Sequence, residues 1–151
     1  MFLKIKKIPK TKWSSTKPSN LKPKFNTFIF LCIGLVLFGL GEGLLIVSYA
    51  GSSPWSVLAQ GIALHTNFTV GVVTFFISLF VLFIWFFLNE KPGIGTILNL
   101  IIISIMIDLS IAFIETPSTY VNQIVMAIIA VLIVGLGSGI YLISNLGPGP
   151  R

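Results

Sequence analysis

The sequence predicts an all-α membrane bundle of about four spans, and three observations carry that prediction. The chain of 151 residues is 55% hydrophobic and only 9% charged, with mean hydropathy +1.00, whereas soluble domains carry roughly 25% charged residues. Its apolar residues come in near-unbroken runs of roughly 20, long enough to cross a bilayer core of about 30 Å at 1.5 Å per residue. The runs lack the apolar–polar alternation of barrel strands, and in lipid the backbone must satisfy its own hydrogen bonds, so they are helices.

Residues 1–24 mix Lys with Pro, Ser, Thr and Asn and have no helical apolar period, the composition of a mobile tail. Eight of the ten basic residues lie there (Lys4, Lys6, Lys7, Lys10, Lys12, Lys17, Lys22 and Lys24). Beyond them the only charges are Glu42, Glu90, Lys91, Asp108, Glu115 and Arg151. The net charge of +6 is thus a property of the tail. Fused to an apolar run, such a tail sets orientation or touches anionic lipid, and nucleic acid is not an expected partner.

The membrane domain, 25–151, follows in order. The first span covers 25–50. Ser48-Tyr49-Ala50 resembles a signal-peptidase site, but signal-peptide cores run about 7–15 residues and this run is longer. Gly51-Ser52-Ser53-Pro54-Trp55 breaks it. Ser53 and Pro54 then make an N-cap and N1 pair for a short helix through about Leu64, which lies on the outer interface or re-enters the membrane. The second span, 68–88, stops at Asn89-Glu90-Lys91-Pro92-Gly93, and the third, 95–114, at Glu115-Thr116-Pro117-Ser118. The fourth is 121–143. With four spans the tail, Lys91 and Arg151 share one side, so the positive-inside bias places the amino terminus in the cytoplasm.

A repeat runs through these segments. Gly39-Leu40-Gly41-Glu42-Gly43 returns as Gly135-Leu136-Gly137-Ser138-Gly139, and Ser48, Gly51 and Pro54 meet Ser144, Gly147 and Pro150, all at an offset of 96. The copies lie three spans apart, in the first and the fourth, which run in opposite directions, so the repeat is inverted, as in many secondary transporters. The second copy reaches only the start of its break at Arg151, so a shortened chain, or a half that pairs with another, is expected.

Gly39-x-x-x-Gly43 and Gly135-x-x-x-Gly139 lie inside apolar runs, where they suit close helix packing rather than nucleotide binding. Glu42 and Asp108 are carboxylates within spans and the leading candidates for a proton or cation site, against the plainer reading of capped or solvated acids. Ser52, Ser53 and the helix start after Pro54 offer donors to an anionic group, to which Arg151 adds charge. Asn99 and Asn122 suit bonds between helices. Cys32 is the only cysteine, so no disulfide or zinc cluster forms within the chain. His65 has no ligand partner at metal spacing, no catalytic set assembles, and neither an enzyme nor a cofactor is expected.

Gly51-Ser52-Ser53-Pro54-Trp55, Pro92-Gly93-Ile94-Gly95-Thr96, Ile107-Asp108, Gly135-Leu136-Gly137-Ser138-Gly139 and Leu146-Gly147-Pro148-Gly149-Pro150-Arg151, in that order, resemble the YczE/YitT-like bacterial membrane proteins over roughly 28–151. That resemblance implies a polytopic inner-membrane protein of undefined role. Such proteins usually carry an acid where this chain has Ser56, and they continue past the last motif by one or two helices. The function expected is transporter-like or permease-like, with a small-molecule substrate held where the two breaks face each other. The alternative is an accessory protein that stabilises a partner membrane protein, or a second copy of itself, through its small-residue faces.

Overall fold

A computed structural model describes residues 11–150, so Lys4, Lys6, Lys7, Lys10 and Arg151 lie outside the described residues. Five helices follow in order: α1 (Phe25–Ser48), α2 (Pro54–Leu64), α3 (Val70–Phe87), α4 (Ile94–Phe113) and α5 (Tyr120–Ser144), with no strand among the described residues. By length and composition α1, α4 and α5 suffice to cross a membrane. At 18 residues, α3 sits near the lower limit of about 17 for a span. Each expected span thus coincides with a helix, and the short helix after the first is α2.

Helix α1 is the centre of the bundle, packed on α4 and α5. Glycines let the backbones approach. A Cβ on Gly34 would fall 2.7 Å from Tyr141 N, and one on Gly41 would fall 2.9 Å from Ala130 O, so α1 and α5 run antiparallel. A Cβ on Gly39 would fall 2.7 Å from Met106 Cβ, and Gly43 abuts Ser110 and Ile107, so α4 runs parallel to α1. Leu31, Leu35, Ile103, Ile107, Tyr141 and Leu146 form the core between them. α3 returns along α4, where Gly71 abuts the Ser104 carbonyl and Asp108.

Two expectations change here. Gly135 and Gly139 have nothing within 4 Å, and Gly137 makes the close contact instead, with a Cβ position 2.5 Å from Phe38 N. At 3.6 residues per turn the face toward α1 is the row Ala130, Gly137, Tyr141, Ser144, and residues two positions from Gly137 point elsewhere. The stretch 11–24 is also no mobile tail. Ser15 N donates to Ser144 O (2.9 Å), Asn145 Nδ2 to Ser15 O (2.9 Å), and Thr27 Oγ1 to Trp13 O, while Trp13 stacks on Phe30 at 4.5 Å. Helix α5 ends in carbonyls that need donors, and Ser15 N supplies one of them, to Ser144 O.

The ends of α1 and α5 match at the 96-residue offset. Ser48 Oγ donates to Leu45 O (2.7 Å) and Ser144 Oγ to Tyr141 O (2.6 Å). Tyr49 and Asn145 both take the left-handed conformation, donating to Ile46 O and Leu142 O. The contacts between the helices exchange under the same offset: Gly41 on Ala130 becomes Gly34 on Gly137, and Gly41 on Val134 becomes Phe38 on Gly137.

Candidate functional site

The acidic residues within helices gather at one end of the bundle, the end that carries α2. Ser53 caps α2, accepting from Ser56 N at 3.3 Å, with Pro54 at the first helical position where no N–H is needed. Glu42, on α1 and only 5% exposed, accepts from Ser53 Oγ (2.9 Å) and Ser56 Oγ (2.6 Å) at a single oxygen, Oε2. The acid therefore stands at the amino end of α2, where the helix dipole favours negative charge.

This arrangement revises the anion-binding expectation. The Ser53 hydroxyl is committed to Glu42, and Ser52 Oγ accepts from Gln60 Nε2 at 3.2 Å. An anionic group approaching the start of α2 would meet the carboxylate already there. The two breaks do not face each other either. Residues 145–150 pack at the opposite end, where Gly95 N donates to Leu146 O (2.8 Å) and Thr96 Oγ1 to Pro148 O (2.7 Å). The 24 residues of α1 put about 35 Å between the ends.

Asp108 answers to the plainer reading, as a cap. From α4 it accepts from Thr69 Oγ1 (2.6 Å) and Gly71 N (2.7 Å), and Thr69 in turn accepts from Val72 N (3.2 Å), so the acid holds the amino end of α3. It also lines a cleft of about 660 Å³ under α2, with Tyr49, Gln60 and Thr69 as the other residues bearing polar groups among apolar walls that include Ile46, Phe68 and Ile111. Gln60 joins the two acids' surroundings: it faces the cleft and donates to Ser56 O at 3.2 Å. Gln60 thus bonds the backbone carbonyl of the residue whose hydroxyl bonds Glu42, so Ser56 stands between the cleft and the acid. Among the described residues no basic side chain pairs with Glu42 or Asp108, and no three His, Cys, Asp or Glu side chains gather as a metal site.

Sequence reasoning missed Ser56, Gln60, Thr69 and Gly71. A signal existed for Thr69, a hydroxyl residue just before an apolar run. The other three are legible only once α1, α2 and α4 are placed side by side. Asn99 is buried against Gly149 with its Oδ1 unpartnered, not in an interhelical bond there.

Residues 25–151 match a family described as of unknown function, DUF6198. The chain is 36% identical over 151 residues to an uncharacterized protein of Haemophilus influenzae, covering all of this chain and 68% of that one. It is 35% identical over 127 residues to the uncharacterized membrane protein YczE of Bacillus subtilis, covering 83% and 58% of the two chains. With the uncharacterized protein YyaS of the same organism the identity is 29% over 128 residues, covering 82% and 63%. The chain thus spans about six-tenths of the length of the two Bacillus relatives. No solved structure matches it. The resemblance read from the glycine and proline motifs holds, and the chain is a helical membrane protein.

Proposed function

We propose, from the premise that the chain belongs to DUF6198, a family of unknown function, that it is a transporter-like protein moving a proton or small cation through the α2 end of the bundle. One observation carries this reading. Glu42 lies inside an apolar span, almost wholly buried, held by two hydroxyls and by no cation among the described residues. A carboxylate in a membrane helix is expensive and, where unpaired, marks an ion or proton pathway. The cleft reached through Gln60 is its access route, and Asp108 keeps α3 in place at the cleft's rim. The matching ends of α1 and α5, and their exchanging contacts, support an inverted repeat of the transporter kind. In this reading the Lys-rich amino terminus lies on the cytoplasmic side of the inner membrane, which places α2 outside.

The test is reconstitution into liposomes on a solid-supported membrane, with proton gradients, alkali cations and small amines applied in turn. A transient current is expected for at least one of them, lost in Glu42→Gln while helix content by circular dichroism is kept. An undiminished current in that variant, or no response to any cation, would remove Glu42 as carrier. A second reading, an accessory protein that stabilises a partner, is favoured by α5, whose most apolar stretch is 17% buried against 44% for α1. Stoichiometric co-purification with one membrane protein, and no cation response, would select it.

A further inference from the structure

Helices α1 and α5 are counterparts at the 96-residue offset, yet they are not equally covered. On α1, Gly39 and Gly43 receive α4 through Ile103, Met106, Ile107 and Ser110, and Leu35 beneath it is 0% exposed. On α5, Gly135 and Gly139 meet nothing within 4 Å, and Val131, the counterpart of Leu35, is 57% exposed. The contacts between the two helices exchange under the offset, Gly41 on Ala130 for Gly34 on Gly137. An operation that swaps α1 and α5 therefore carries α4 to a position against Gly135 and Gly139, running parallel to α5.

The breaks tell the same story independently. The second break is seated on the amino end of α4, through Gly95 N to Leu146 O and Thr96 Oγ1 to Pro148 O. The first break has open space at the matching position: a Cβ on Gly51 would meet nothing within 4 Å, whereas one on Gly147 would meet Thr96 Oγ1 at 2.6 Å and Gly93 N at 2.9 Å. The swapped helix would bring its amino end to the carbonyls of Ala50 and Ser52, the counterparts of Leu146 and Pro148.

Length settles which source to name. A relative of which 151 residues make up 68% is about 220 residues long, and the ~70 residues outside the match suffice for three membrane-length or shorter helices. That is somewhat more than the stretch from Pro54 to Phe113 that holds α2, α3 and α4 here.

We propose that the Gly135–Gly139 face of α5 is the seat of a membrane-spanning helix of the α4 kind, supplied by the part of the longer family chains that lies outside the match, parallel to α5 and with its amino end on residues 50–52. The face is a socket within the family's complete bundle, not a lipid-facing wall. This inference stands apart from the transport reading, since the socket exists whether or not Glu42 carries an ion.

The probe is the portion of the Haemophilus influenzae relative outside its match to this chain, tagged and co-expressed with the full chain. Stoichiometric co-purification is expected, falling at least tenfold with Gly135→Leu plus Gly139→Leu, while Gly61→Leu, on an open face of α2, leaves it unchanged. The double variant must itself purify as a monodisperse helical protein, as its open face predicts. Gly139→Cys in a Cys32→Ser background should cross-link to cysteines introduced along the probe. Absence of co-purification, co-purification indifferent to the leucines, or cross-linking of Gly139→Cys chiefly to a second copy of the chain would overturn the proposal.

Discussion

The first break, residues 49–53, and the second, 145–149, begin with the same helix-ending device and differ in what surrounds it. Each begins with a buried serine that returns its hydroxyl to its own helix and a left-handed residue after it. The second is then enclosed by neutral groups: Ser15 N, Gly95 N and the Thr96 hydroxyl each donate to a carbonyl of the Ser144–Pro148 stretch. The first has the carboxylate of Glu42 beside it, open space at Gly51 and a cleft under α2. The comparison teaches that the same helix-ending device, a buried serine followed by a left-handed residue, can serve as a closed joint at one end and an open site beside a carboxylate at the other. Surroundings, not the glycine–proline motif, decide which.

The largest expected effect tests the joint between the two copies. Gly137→Leu forces a side chain into the backbone of α1 at Phe38. Neither backbone can give way without opening the whole interface, so a loss above about 4 kcal/mol is expected, the range reserved for severe core disruption. No monodisperse protein should elute on size exclusion in detergent. Gly135→Leu, two residues away on the open face, should change stability by less than about 0.5 kcal/mol. Equal tolerance of both would break the comparison at its root, because the exchanging contacts rest on Gly137.

Next in size is the cap at the α2 end. Asp108→Ala removes both acceptors from Thr69 and from Gly71 N. Hydrogen bonds to charged groups are worth about 1.5–3 kcal/mol each, and water in the cleft will recover part, so a net cost of roughly 2–3 kcal/mol is expected. The loss should appear as faster hydrogen exchange over residues 69–73, with exchange at the far end of α3 unchanged. Thr96→Val tests the other end and should cost less, about 1 kcal/mol for a neutral hydroxyl that links Gly93 N to Pro148 O.

Much of this was legible in the chain itself. The spans follow from apolar length, α2 from Ser53 and Pro54, and the equivalence of the breaks from the constant offset. The site was read less well because residue type does not reveal direction. Glu42 and Asp108 look alike as acids in spans, yet one is buried against the start of α2 and the other caps α3 at a cleft, and only the packing of α1, α2 and α4 separates them. Gly135 and Gly139, which meet no helix among the described residues, show a related limit. The motif marks where a helix can come close but not whether the helix that comes is at hand.

Among changes at the two breaks, the smallest expected effect on stability is the one that separates structure from function at the first. Glu42→Gln keeps the shape of the side chain, and its carbonyl oxygen can still accept from Ser53 and Ser56. The variant loses charge-assisted hydrogen bonds, but it also loses the cost of holding a charge in a nearly closed site with no cation beside it. These terms oppose each other, so thermal stability in detergent should shift by less than about 1 kcal/mol in either direction. A larger loss would mean that the carboxylate is a structural strut of the α2 end, as Asp108 is of α3, and its burial would then have nothing to do with an ion. A near-zero shift, with current abolished in the same variant, would mean that this end tolerates an expensive group the fold does not need, which is the physical signature of a working site.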